Sequence, residues 1–174
     1  MESRLKLLGH PIHPMLIVLP LGLLSIGVLF DVVYLVTGTD MFAEVAFWNI
    51  TAGILGGLLA AIFGFLDWSS IPKDTRARRL GAWHGIGNFT IVLLFIASWL
   101  MRREDLSYAP NLLPFVLGAV AVGMALVTAW LGGELVYRLR VGVDDDANLN
   151  ASSSLDREPM ASTASSGRAR SPMP

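Results

Sequence analysis

Four long apolar runs, at 15–36, 45–66, 82–101 and 112–136, are separated by short stretches that hold most of the charged residues. Each run reaches the roughly 20 residues that carry an α-helix across a hydrocarbon core about 30 Å thick. A helix on the surface of a water-soluble bundle would show a polar face every three or four residues, and these runs carry almost no charge on any face. The pattern predicts an all-α fold, a four-helix transmembrane bundle. The first run is far longer than the h-region of a cleaved signal and no small-x-small site follows it, so it is expected to stay attached. After Val143 the pattern changes abruptly to Asp144, Asp145 and Asp146 and then a Ser-, Ala- and Pro-rich stretch to Pro174. Residues 1–143 are therefore expected to form the membrane domain and 144–174 a disordered cytoplasmic tail.

Composition sharpens this picture: 53% of residues are hydrophobic and 16% charged, which is membrane composition. Without cysteine there is no thiolate ligand, thiol nucleophile or disulfide. A net charge of −1 with no basic stripe gives no expectation of nucleic-acid binding. Orientation follows from Lys and Arg near the ends of the runs. Arg4, Lys6, Lys73, Arg76, Arg78, Arg79, Arg138 and Arg140 fall on one side, and Arg102 and Arg103 on the other. Both termini are expected to be cytoplasmic, in a multi-pass protein of the cell inner (plasma) membrane. Trp and Tyr also sit near both ends of the runs, with Trp48, Trp99, Tyr34 and Tyr108 outside and Trp68, Trp83, Trp130 and Tyr137 inside.

Small residues suggest how the helices meet, because lipid supplies no hydrophobic drive between them and close backbone approach must hold them together. Ala52, Gly56, Ala60 and Gly64, beside Gly53, Gly57 and Ala61, form a stripe on the second run, and Ala121, Ala125, Ala129 and Gly133 one on the fourth. Pro20, inside the first run, frees the carbonyl of Leu16 and predicts a kink. Asp31 is expected at the outer interface, about 25 Å along the helix from Pro14 at about 1.5 Å per residue.

Ionisable residues at membrane depth are functional candidates by default. All three histidines, His10, His13 and His84, map to the cytoplasmic side. In Gly9-His10-Pro11-Ile12-His13-Pro14 each of the first two precedes a proline, which favours extended backbone, and Pro14 suits the first helical position. Asp67 ends the second run, Asn88 lies four residues after His84, and Glu134 lies four before Arg138. Antiparallel neighbours bring these groups toward one polar pocket. Imidazole ligates haem iron and transition metals, and carboxylates or amides orient it. His13 and His84 are thus candidate axial ligands of a b-type haem, with His10 as an alternate and Asn88 in support. A zinc, copper or iron site is expected to draw on His10, His13, His84, Asp67 and Glu134. The plainer reading has interfacial histidines meeting headgroups and Glu134 in an i,i+4 pair with Arg138.

The chain resembles the bacterial integral membrane proteins catalogued as domain of unknown function 2231. The resemblance rests on the double His-Pro motif running into 15–20, on His84 with Asn88, and on Gly132-Gly133-Glu134-Leu135-Val136-Tyr137 leading to Val141-Gly142-Val143. It spans about residues 5–143, outside the tail, and implies a four-helix membrane domain of uncharacterised function. Relatives joined to electron carriers make a redox role an implication of the resemblance. Arg138-Leu139-Arg140 departs from the family pattern, which often has a glycine or histidine there.

Two functional readings follow. One is a haem- or metal-binding membrane redox subunit served by a separate redox partner protein. The other is a cofactor-free transporter of protons or small solutes, or a membrane scaffold. A membrane hydrolase has no support, since no HExxH, Ser-His-Asp order or phosphate-cradling loop is present. The lipid bilayer is the expected environment, and a homo-oligomer is compatible with the sequence.

Overall fold

A computed structural model describes residues 2–3, 5–104 and 107–155. Arg4 of the positive flank and residues 156–174 of the tail lie outside the described residues. The chain opens with a small antiparallel hairpin, β1 (Lys6–Leu7) and β2 (His10–Pro11), with Leu7 opposite His10. Leu8 and Gly9 turn between them with φ of 51° and 84°, the doubly left-handed pair of a tight hairpin turn. Then follow α1 (Ile12–Leu16), α2 (Val18–Thr37), α3 (Asp40–Ser69), α4 (Arg76–Arg102) and α5 (Leu112–Gly133), which runs into a π-helical turn over Glu134–Arg138.

The helices build four candidate membrane spans, Ile12–Thr37, Asp40–Ser69, Arg76–Arg102 and Leu112–Arg138. In the most apolar window of each, 22% of residues are buried inside the bundle. The rest of each span faces outward, and residues such as Leu55, Ile62, Phe65, Phe89, Leu126 and Trp130 are well exposed. An apolar surface of this extent belongs in lipid. The fold is thus the expected four-helix transmembrane bundle.

α2 packs along α3 and α4 along α5, while α3–α4 and α2–α5 contacts close the ring. The centre is a cluster of Leu24, Ile50, Ile54, Ile91, Val92, Phe95 and Ala121. The small residues do bring backbones together, but not in strict i+4 rows. Gly53 meets Leu24, Gly57 meets Val92 and Pro20, and Gly118 meets Val28, while Ala52, Ala61 and Ala129 face outward. A row at every fourth residue drifts about 40° per step around a helix of 3.6 residues per turn. On α5 the buried line therefore runs Pro114, Gly118, Ala121 and Thr128.

Two details of the first span differ from expectation. Its helix begins at Ile12, capped by extended Pro11 (φ −58°, ψ 131°), so His13 lies inside the first turn and Pro14 is the third helical residue. A proline there is tolerated because the first four helical N–H groups have no intrahelical acceptor. The kink predicted from Pro20 falls at Ile17, between α1 and α2, next to the carbonyl that Pro20 leaves without a donor. Past the end of α3, Arg78 ties down the turn that follows. Its guanidinium donates to Trp68 O (3.1 Å), Ser69 O (3.0 Å) and Ile71 O (2.8 Å) and stacks over the Trp68 ring at 4.0 Å.

Candidate functional site

His13 enters the bundle from α1 and His84 from the third turn of α4, and their rings meet edge to face with centroids 6.4 Å apart and planes at 89°. Each ring is held in the same way. His13 Nδ1 lies 2.9 Å from the carbonyl of Ala60 on α3, and His84 Nδ1 lies 2.9 Å from that of Thr128 on α5. A carbonyl only accepts, so each imidazole carries a proton on Nδ1 and presents Nε2 to its other neighbours.

One turn beyond each accepting carbonyl stands a glycine. A Cβ on Gly64 would lie 2.7 Å from His13 Cε1, and one on Gly132 would lie 3.2 Å from His84 Cε1. The glycines are the seats on which the rings rest. They explain why helix carbonyls already engaged in their own helices can accept a second bond.

Asn88, one turn along α4 from His84, bridges to it twice, through Nδ2 to the His84 carbonyl (2.8 Å) and to His84 Nε2 (3.2 Å). Thr128 Oγ1 shares its proton between Ala125 O (3.1 Å) and Asn88 Oδ1 (3.2 Å), and the donation to the His84 carbonyl orients the amide with its nitrogen toward the ring. His13 Nε2 has no hydrogen-bond partner among the described residues. Beside His84, Trp83, Gly87, Met124, Val127, Thr128 and Leu131 line an apolar groove of about 350 Å³.

The other candidates go elsewhere. His10 is exposed on β2, with Nε2 3.5 Å from Ser154 Oγ. Asp67 accepts from Ser3 Oγ at 2.6 Å. Glu134 pairs with Arg76 at 2.8 Å, ahead of its expected partner Arg138 at 3.9 Å. Among the described residues no group of three or more His, Asp or Glu is placed to hold a metal ion. The structure thus brings together His13, His84 and Asn88, and leaves His10, Asp67 and Glu134 in separate contacts.

Sequence reasoning missed a fully buried ion pair. Arg102 NH1 and NH2 donate to Asp31 Oδ1 (2.8 Å) and Oδ2 (3.0 Å), and both side chains are 0% exposed. NH2 also reaches Ser98 Oγ (3.0 Å), which donates to Pro114 O (2.8 Å). Asp31 is therefore an interior residue and Arg102 a buried partner rather than a loop charge. A signal was available, since Asp31 and Arg102 each follow a histidine, His13 or His84, by eighteen positions.

Four apolar spans around a buried polar framework define a polytopic helical membrane protein. The chain belongs to a family described as predicted membrane protein (DUF2231), which it matches over residues 9–145. No curated protein and no solved structure matches it.

Proposed function

We propose that this membrane protein is a haem-binding redox subunit in which His13 and His84 would hold the haem iron. The observation that carries this reading is the paired geometry, two Nδ1-anchored imidazoles from different helices with centroids 6.4 Å apart. Imidazole is a standard ligand of haem iron, and two rings brought this close from different helices would be the residues to hold it. A backbone acceptor on Nδ1 is the usual outer-shell support of a ligating histidine. Among the described residues no third protein ligand stands with the pair, and two imidazoles suit a haem iron better than a bare zinc ion, which takes three or four protein ligands. A bound haem would supply one-electron chemistry. The chain's own part is to hold the two rings, exclude water with the surrounding apolar helices, and release Asn88 from His84 Nε2.

The same reading takes residues 1–143 as one domain of the plasma membrane with both termini and the 144–174 tail cytoplasmic. The burial of Arg102 supports that orientation, because it leaves Arg103 as the remaining basic residue of the outer flank against the many at the histidine end. On this reading electrons would be exchanged with a separate redox partner protein.

A cofactor-free reading has one observation in its favour. The Thr128–Asn88–His84 chain is satisfied as it stands, as a proton relay or a packing device would be. Haemin titration of the detergent-solubilised protein separates the two. The haem reading expects a Soret band at one haem per chain that His13→Ala and His84→Ala each abolish. Saturation with haemin that leaves the protein colourless would favour the relay or scaffold.

A further inference from the structure

The two halves of the bundle repeat each other. The buried residues of α2 are Leu24, Gly27 and Asp31, and adding 71 to each number gives Phe95, Ser98 and Arg102, all buried on α4. The buried residues of α5 are Pro114, Gly118, Ala121 and Thr128, and subtracting 68 gives Ala46, Ile50, Gly53 and Ala60, all buried on α3. The contacts repeat as well. His13 bonds to Ala60 O and rests on Gly64, and at the same offsets His84 bonds to Thr128 O and rests on Gly132. Ser98 meets Pro114 O where Gly27 approaches Ala46 O. Side-chain identity has largely diverged, so the repeat lives in burial and contact.

In a four-helix ring with spans alternating in direction, two such hairpins run the same way, related by a pseudo-twofold axis along the helices. Equivalent residues meet across that axis at two depths. At one end His13 faces His84, and eighteen positions along the same two chains Asp31 faces Arg102. That separation is about 27 Å at about 1.5 Å per residue.

We infer that Asp31 and Arg102 are positioning residues for the paired histidines, locking the axial register of the two repeats. The inference rests on reading the histidine pair as a site. The pair is bidentate, with NH1 and NH2 donating at 2.8 and 3.0 Å while the buried Nε has no partner among the described residues, and a planar guanidinium donates two bonds to a carboxylate in one orientation. Sliding one repeat along the other by a single residue moves it about 1.5 Å, which breaks both bonds and shifts one imidazole against the other. The bond from Trp99 Nε1 to Thr51 Oγ1 (2.8 Å) and the shared apolar core also join the repeats, and to these the ion pair adds a charged, two-point lock at equivalent positions of the two repeats. Opposite charges at equivalent positions also mean that two first hairpins, or two second hairpins, would set like charges face to face. The pair thereby selects the heterologous pairing that brings one imidazole from each repeat to a single site on the axis.

The chain has no cysteine, which allows a direct test. His13→Cys and His84→Cys are introduced together and bridged in membranes with a short bifunctional thiol reagent, and the yield is read by mass spectrometry. The inference expects near-complete bridging, at least a fivefold loss of rate on adding Asp31→Asn, and recovery in the charge swap Asp31→Arg with Arg102→Asp. If Asp31→Asn does not accumulate, Arg102→Lys, which keeps the charge and loses the fork, should give an intermediate rate. An unchanged rate in folded Asp31→Asn or Arg102→Lys protein, or no recovery in a folded swap, overturns the inference. Failure of the native chain to bind haemin, with cross-linking still dependent on Asp31, overturns the haem reading alone.

Discussion

Gly64→Ala places a single methyl against the ring that defines the site. The new Cβ would stand 2.7 Å from His13 Cε1 and 2.9 Å from Nδ1. Carbon atoms rest at about 3.5–4.0 Å, so the ring must withdraw by about 0.8 Å or more. His13 Nδ1 now sits 2.9 Å from Ala60 O, and such a retreat takes it beyond hydrogen-bonding range. Losing that bond costs about 1 kcal/mol and crowding a packed site about 1–3 kcal/mol. Alanine returns up to about 1 kcal/mol through its higher helix propensity. The net loss is about 1–3 kcal/mol. Gly132→Ala, whose Cβ would be 3.2 Å from His84 Cε1, should lose less. Gly85→Ala, with nothing within 4 Å, should be neutral or slightly stabilising. Unfolding of the three variants by titrated denaturing detergent, followed by circular dichroism, ranks them, and ¹⁵N resonances of the imidazoles report the Nδ1 proton. A Gly64→Ala protein as stable as Gly85→Ala within about 0.5 kcal/mol, with an unchanged His13 ring signal, would refute the seat-and-ring reasoning.

Removing one member of the buried ion pair leaves the other charge stranded, so Arg102→Gln should cost about 3–5 kcal/mol in the same assay; a loss below about 1 kcal/mol would contradict the pairing. Arg78→Ala exposes three carbonyls at the end of α3 and removes a stacked guanidinium, and a loss of about 2 kcal/mol with faster amide exchange at 69–72 is expected. Near the amino end Lys6 bonds to Asp144 and Glu2. Those bonds raise the Lys6 pKa above its ordinary 10.5, while Lys6 first and the Asp145 N–H second lower that of Glu2 below its ordinary 4.5. A raised lysine stabilises fully below its ordinary value and loses that contribution as pH climbs through the folded one, and a lowered carboxylate does the reverse on the acid side. Amide protection of β1 and β2 should therefore be flat between about pH 5 and pH 10 and fall outside that window; protection that stays unchanged as pH drops through about 4 and below would contradict it.

Hydropathy is a one-dimensional property, which is why the four spans were legible from sequence. His13, His84 and Asn88 were legible too, because helix ends and an i+4 spacing are set along the chain. What sequence did not resolve depends on rotation about each helix and on depth. His10 precedes the first helical turn and follows the hairpin outward, while Asp67 and Glu134 turn toward Ser3 and Arg76 instead of the imidazoles. Arg102 was read as a flanking loop charge, yet it is the last residue of α4 and points inward to Asp31. The carbonyls of Ala60 and Thr128 leave no trace in residue types, and only the glycines one turn on hint at them. The internal repeat is hidden for a related reason. Packing conserves which positions are buried, and a pair such as Gly27 and Ser98, or Asp31 and Arg102, shares a place in the bundle without sharing chemistry.

The central claim is that two helix-anchored imidazoles hold one haem iron, and the absorption spectrum with iron analysis of protein purified from its own membranes tests it most directly. The account predicts about one low-spin haem per chain, with bis-imidazole spectra that either His13→Ala or His84→Ala removes in folded protein while His10→Ala leaves them intact. A colourless, iron-free protein that takes up no haemin, or a haem retained in both His13→Ala and His84→Ala, would contradict it.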